Sequence, residues 1–467
     1  MSNALPPFFD RVAETRGPAL FTLLAGLALA LVQTPLQAQT VDPLGHLVEE
    51  ALRNNLTLEQ VRLSEERAGA EVREARGLFL PSLSVETRYS EQNGTLNFGD
   101  FVNPAYAALN EMSGTNRFPT DLDFTLPFRH ESRLRLTQPL FNETIRANYA
   151  LSRHRRDATR YARMASERRV AAEAQVAYLS LAGARSAVRI YEASLALVRE
   201  NERVAERLVE AGRATPDVIF RARAERSDVE QQLLEAGERA RAARRALNLL
   251  LGRRLDAEVE EVPDSLLRFE LAITEDAAVA HALAHREELR RLDAGLSAAD
   301  AAVRVATAAF LPSVSLAIDY GFQGQELSFG SDQDFLVASV VVSWNLFNGG
   351  RDLARRQGAG IEADRIRVQR RDVEDHIRLE VRQAYESAAV ARAAIGTAED
   401  RLAAARRTFQ LVRRRYEEGV ASHIEFLDAR TALTSAELNR SVTAYRYAAR
   451  YVELERAAAL RSIDPDR

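Results

Sequence analysis

The sequence predicts an α+β membrane protein made of two internal structural repeats, each joining two short strands to a very long helical hairpin. Three observations carry this. Short motifs return in the same order along the chain. Two long, Pro-free stretches carry a coiled-coil period. Four short runs alternate apolar and polar residues.

The returning motifs come first, because repetition decides architecture. Phe79-Leu80-Pro81-Ser82-Leu83-Ser84-Val85 recurs as Phe310-Leu311-Pro312-Ser313-Val314-Ser315-Leu316. Pro139-Leu140-Phe141-Asn142 recurs as Asn345-Leu346-Phe347-Asn348. Leu208 to Gly212 recurs near Arg415 to Gly419. The reading is repeat 1 over 39–258 and repeat 2 over 259–467, each ordered helix, strand pair, long helix, Gly turn, helix.

From Asn142 to Ala211 there is no Pro and one Gly, Gly183. A helix of that length extends roughly 100 Å at 1.5 Å per residue. Its apolar positions step by fours and threes: Ala177, Leu181, Ala184, Val188, Tyr191, Leu195, Val198. The second copy repeats this at Ala384, Ala388, Ala391, Ile395, Ala398, Leu402, Ala405, Phe409 and Val412. A period of about 3.5 is a coiled-coil seam, and its many Ala residues allow close helix approach. Gly212 and Gly419 suit the left-handed residue that ends a helix. New helices follow, with Pro216 expected at a first helical position and Ser422 opening the other.

The strands are expected over about 81–90, 130–140, 312–322 and 336–347. Leu83, Val85, Thr87 and Tyr89 alternate with Ser82, Ser84, Glu86 and Arg88, and the other runs behave alike. About ten such residues, apolar outward and polar inward, match a transmembrane β-strand. Trp344 and Phe347 fall where an aromatic girdle would lie. Four strands do not close a barrel, for which about eight are needed, so several chains must contribute; three supply twelve. Phe310 follows Phe79 by 231 residues, but Leu346 follows Leu140 by only 206. The 25 extra residues sit in the first copy's loop, Ser90 to Arg129, which is expected on the cell exterior.

Bulk composition narrows the function. The 63 basic residues, all Arg, balance 67 acidic ones to a net charge of −4, which is no footprint for nucleic acid. The absence of Cys excludes disulfides, thiolate metal sites and lipid attachment at a mature N-terminal Cys. Arg11 and Arg16 precede an apolar stretch ending at Leu36-Gln37-Ala38, which reads as a signal peptide over 1–38.

Taken together, ordered and duplicated, these motifs over Leu44 to Leu460 resemble the TolC-like outer-membrane efflux and secretion channels. The resemblance implies a homotrimer with one twelve-stranded β-barrel, four strands per chain, in contact with outer-membrane lipid. The barrel would continue as a coiled-coil α-barrel across the periplasm. The segment from Gly252 to Thr274 would join the halves in an equatorial band. The helix tips, including Gly212, Gly419, Ala421 and Ser422, would meet a periplasmic adaptor serving an RND or ABC transporter of the inner membrane. Tyr416 falls at the family's latch Tyr, and Glu425 and Asp428 fall at acidic positions that line its constriction. Two departures stand out. Ala421 occupies the latch Arg position, and in the first copy Val218 stands where an acid belongs, with Asp217 one place early.

Other classes fit less well. A periplasmic coiled-coil scaffold or adaptor without a pore shares the rods but has no use for two matched strand pairs. His281 and His285 are spaced for a shared metal, yet lack the third ligand a zinc site needs, so neither metal nor cofactor is expected. No phosphate loop or nucleophile motif supports an enzyme.

Overall fold

A computed structural model describes residues 44–91, 96–123, 125–126, 129–263, 269–324, 330 and 333–462, all within the unit Pro43–Arg467. The expected signal segment lies outside the described residues. The first half runs α1 (Gly45–Asn54), α2 (Leu56–Gly77), β1 (Ser82–Tyr89), β2 (Leu96–Asn97), α3 (Gly99–Ser113), β3 (Thr125–Leu126), β4 (His130–Phe141), α4 (Glu143–Glu210) and α5 (Asp217–Leu250). The second runs α6 (Glu275–His285), α7 (Glu287–Ala308), β5 (Ser313–Gly324), β6 (Asp334–Ser343), α8 (Arg351–Glu417) and α9 (His423–Ala457).

The repeated motifs have a physical cause. At both Phe-Leu-Pro-Ser elements the helix unwinds by the same two bonds, Phe79 N to Arg76 O and Leu80 N to Gly77 O, then Phe310 N to Thr307 O and Leu311 N to Ala308 O. Pro cannot continue a helix, so the chain extends into a strand. A side chain from the neighbouring strand end then ties each Phe carbonyl: Gln138 Nε2 donates to Phe79 O at 2.9 Å, and Trp344 Nε1 to Phe310 O at 3.1 Å. The second motif binds helix-start backbone in both copies, as an N-cap only in the first. Asn142 Oδ1 accepts from Ile145 N at 3.2 Å to start α4. Near the start of α8, Asn348 Oδ1 accepts from Asp352 N at 3.4 Å.

Four strands form one antiparallel sheet in the order β1-β4-β5-β6. Its register keeps the two faces distinct. Val85 pairs with Leu134, Leu134 with Tyr320 and Tyr320 with Leu336, so the middle of one face is apolar, with Thr87, Ser132 and Asp334 following at one end. On the other, Arg133 bonds Glu86 at 2.6 and 2.9 Å, and Arg135 bonds Asp319 at 2.7 and 2.9 Å. Pro139 falls where the β4–β5 register shifts, since Pro has no N–H for a ladder. The apolar face is uncovered within the chain, with Val85 73% and Val340 64% exposed.

Two boundaries differ from expectation. β6 ends at Ser343, so Trp344 and Phe347 lie beyond it on the link to α8. Trp344 leaves the ladder to cap Phe310 with its indole. Pro216 takes the N-cap position, one residue before the helix. The long first loop also holds an unexpected helix, α3. Its Asn103 clasps Leu122, giving and taking one bond of 2.9 Å each, and Asn110 clasps Phe118 in the same way at 2.6 and 2.9 Å. Gly99 is needed there, because a Cβ would stand 1.7 Å from the Leu122 carbonyl oxygen.

The long helices behave as their seams predict. Every seam position from Ala177 to Val198 and from Ala384 to Val412 is buried or half-buried. Gly183 faces Tyr445, whose ring would lie 3.3 Å from an added Cβ, so this Gly sets the approach of α4 to α9. Two cores hold the middle. One gathers Leu47, Leu58, Tyr178, Leu181 and Leu247. The other gathers Ala278, Leu289, Ile377, Val381 and Leu454. The linker is tied to the first by Val262 N, which donates to Tyr178 Oη at 2.6 Å.

Candidate functional site at the helix tips

Both long helices end in the same turn. Gly212 and Gly419 have φ of 65° and 75°. Arg213 N bonds Leu208 O at 2.8 Å and Gly212 N bonds Val209 O at 2.9 Å. Val420 N bonds Arg415 O at 2.8 Å and Gly419 N bonds Tyr416 O at 3.0 Å. These are Schellman caps, whose left-handed residue strains any side chain bearing a Cβ.

The residues after each turn differ. Ser422 and Glu425 form a capping box: Glu425 N donates to Ser422 Oγ at 3.2 Å and Ser422 N to Glu425 Oε2 at 2.9 Å. The Glu425 carboxylate is therefore committed to starting α9, while remaining exposed. Asp428 follows one turn later on the same helix face and is exposed. Ala421 is buried, and its N–H joins the cap by bonding Arg415 O at 3.0 Å. A long side chain there would have to leave the turn. Arg413 bonds Glu417 at 2.9 Å on its own helix.

Tyr416 is held within its hairpin. Its ring stacks on Phe426 at 4.9 Å, and its hydroxyl shares a 3.1 Å hydrogen bond with His423 Nδ1. Burial raises the Tyr416 pKa. Phe409 meets Phe426 at 5.7 Å and completes an aromatic cluster. Nothing in the periodicity distinguished His423 and Phe426, although they stand beside Ser422 and Glu425.

His423 of the second tip lies within electrostatic range of the first tip's charges. Burial, then the positive charge of Arg221 on α5, hold its pKa below the usual imidazole value, and Asp217 opposes them. Asp217 is itself held below the carboxylate range, chiefly by the Thr215 hydroxyl that donates to it, with Arg221 acting in the same direction. Asp217 is exposed and forms an ion pair with Arg221 at 3.3 Å. Structure thus brings Asp217 near the second tip, while Glu425 and Asp428 stay on α9.

Farther from the tips a buried cation locks the hairpins together. Arg430 on α9 is 2% exposed, bonds Ser194 of α4 at 2.7 Å and pairs with Glu225 of α5. Burial pulls its pKa down to about 10. The Arg-rich sequence does not single it out. His281 and His285 stack at 4.0 Å, with each Nδ1 engaged by a backbone carbonyl. Among the described residues no three His, Cys, Asp or Glu converge as a metal site.

Comparison with known proteins identifies this assembly of parts. A family model described as outer membrane efflux protein matches residues 47–253 and 278–460. The chain is 34% identical to protein CyaE of Bordetella pertussis over 172 residues, 36% of this chain and 35% of that one. It is 26% identical to the cation efflux system protein CusC of Escherichia coli O157:H7 over 425 residues, 89% and 85% of the two chains. It is 25% identical to the alkaline protease secretion protein AprF of Pseudomonas aeruginosa over 412 residues, 85% and 80%. In fold it is similar to the Campylobacter jejuni CmeC outer membrane channel, with a TM-score of 0.71 at 20% identity over 89% and 85% of the chains. The chain belongs to the outer membrane efflux protein family, a family of transport channels rather than enzymes, and is an outer-membrane protein.

Proposed function

We propose that the chain is one subunit of a homotrimeric outer-membrane tunnel that passively conducts substrates from a periplasmic adaptor and an inner-membrane RND or ABC pump to the exterior. The observation that carries this is the sheet. Its apolar face is bare, its polar face holds the ion pairs of Arg133 and Arg135, and among the described residues its edge strands β1 and β6 pair on one side only. Bare apolar strands with open edges call for lipid and for more strands. Two chains would give eight strands, a barrel that side chains fill. Three give twelve and leave a lumen. The similarity to CusC and to AprF supports a cargo among efflux substrates or secreted proteins.

In this reading Trp344 and Phe347 form the aromatic girdle next to β6, and the loop bearing α3 faces outward. The tips at Gly212 and Gly419 meet the adaptor, with Ala421 and Ser422 at the contact. Tyr416 belongs to the closed gate, and Glu425 and Asp428 each form a ring of three acids that attracts cations, with Asp217 nearby. The deciding experiment is the native mass of the protein extracted from outer membranes. A value about three times the mature chain is expected, and a monomer would overturn the trimer. In planar bilayers, replacing Glu425 and Asp428 together by Ala weakens block by divalent cations; unchanged block would remove both from the gate.

A further inference from the structure

Between the two hairpins, close to their tips, lies a cavity of about 180 Å³. Val204 and Leu208 of α4 supply one apolar wall, and Phe409, Tyr416 and Phe426 supply an aromatic one. Asn201 also lines it, at 4% exposure. Among the described residues neither its Oδ1 nor its Nδ2 has a hydrogen-bond partner. Buried polar atoms are paired in the great majority of cases, so an amide with both ends unbonded beside a cavity points to a ligand.

The chemistry of that ligand follows from the wall. An Asn side chain offers an acceptor and a donor side by side, and one group satisfies both at once: another amide edge. Aromatic faces favour a flat ring packed against them. Charge is not called for, because the lining Arg413 already bonds Glu417 at 2.9 Å and the lining Glu200 pairs with Arg203 at 2.7 Å. The volume is below the roughly 300–1,000 Å³ of pockets for drug-sized molecules, so a single ring fits. We infer that this cavity is a binding site for a small, neutral, aromatic molecule carrying an amide edge. Such a molecule touches α4 of one hairpin and α8 and α9 of the other. The site rests on the cavity and Asn201 alone and stands whether or not the tips gate a channel.

Benzamide and acetophenone are suitable probes, because they share a ring and a carbonyl but only benzamide has the N–H donors. Their binding to the full-length protein in lipid nanodiscs is measured by saturation-transfer NMR titration. Benzamide is expected to bind at least tenfold more tightly than acetophenone. Asn201→Leu is expected to erase that difference, and Leu208→Trp, which adds an indole to the lining, to abolish binding of both. Equal binding of the two probes to the unaltered protein would overturn the inference, and so would a benzamide preference that survives Asn201→Leu. Benzamide binding unchanged by Leu208→Trp would put the ligand elsewhere and overturn it too.

Discussion

After Gly212, α5 begins at Asp217 behind an N-cap Pro216 that gives no side-chain cap, and Phe220 lies 67% exposed. After Gly419, Ser422 and Glu425 close a capping box, and Phe426, 8% exposed, packs among Phe409, Val412 and Tyr416. The turn itself is the same in both. The first hairpin gathers its nearest buried cluster, Leu195, Val198 and Val229, farther from the turn and covers the interval with Arg223 bonded to Glu202 at 3.2 Å and Glu206 at 3.1 Å. One tip is fastened by apolar packing, the other by charges in water. The difference teaches that duplication preserved the backbone solution and left side chains free to diverge.

The largest test of this contrast is aromatic truncation. Phe426→Ala is expected to cost about 3 kcal/mol, the lower end for a buried aromatic. Phe220→Ala should stay within about 0.5 kcal/mol, as for an exposed site. Hydrogen exchange of the tip amides reads both, and equal effects would dissolve the distinction. Capping comes next. Ser422→Ala should destabilise the second tip by about 1 kcal/mol, because the Glu425 N–H loses its acceptor, the Ser422 hydroxyl. Thr215→Ala should do less, since that hydroxyl bonds the Asp217 side chain and not the backbone.

The smallest expected effect depends on pH. His423 has a lowered pKa in the folded protein, so the unfolded tip binds the proton more readily. Its contribution is intact above the ordinary imidazole value of about 6.5 and declines as pH falls from there through the folded-state value. Tip exchange, corrected for intrinsic rates, should quicken between pH 7.5 and 5.5 near His423. His423→Gln should flatten that dependence, and a slope unchanged by it would assign the effect to another group.

Periodicity made the rods and strands legible. Ala177 to Val198 and Ala384 to Val412 are buried where the 3.5-residue step puts them, and both tip glycines adopt positive φ. Helix α3 escaped because Pro104 lies inside it and its stability comes from Asn103 and Asn110 reaching residues 19 and 8 positions away. Arg430 escaped for a related reason: one Arg among many becomes distinctive only when Ser194 and Glu225 close over it. The tip was half legible. Tyr416, Glu425 and Asp428 stand out by motif, and the Ser422-x-x-Glu425 spacing is that of a capping box, but only the structure shows Glu425 bound to its own helix start. Glu425→Gln keeps an acceptor for the Ser422 N–H while removing a charge, whereas Glu425→Ala removes both, and Asp428→Asn removes a charge alone.

Among the described residues β1 and β6 each keep an open edge, and this has a consequence for the life of the chain. An unpaired edge accepts any strand that reaches it. Where a folded state requires neighbours, stability depends on how many protomers are present, not on sequence alone. In the proposed trimer, a sparse protomer on its way to the membrane exposes its edges for longer than an abundant one. For that trimer, dosage sets the balance between correct closure and pairing with a stranger, so scarcity brings tangles as well as a shortage of assembled channels.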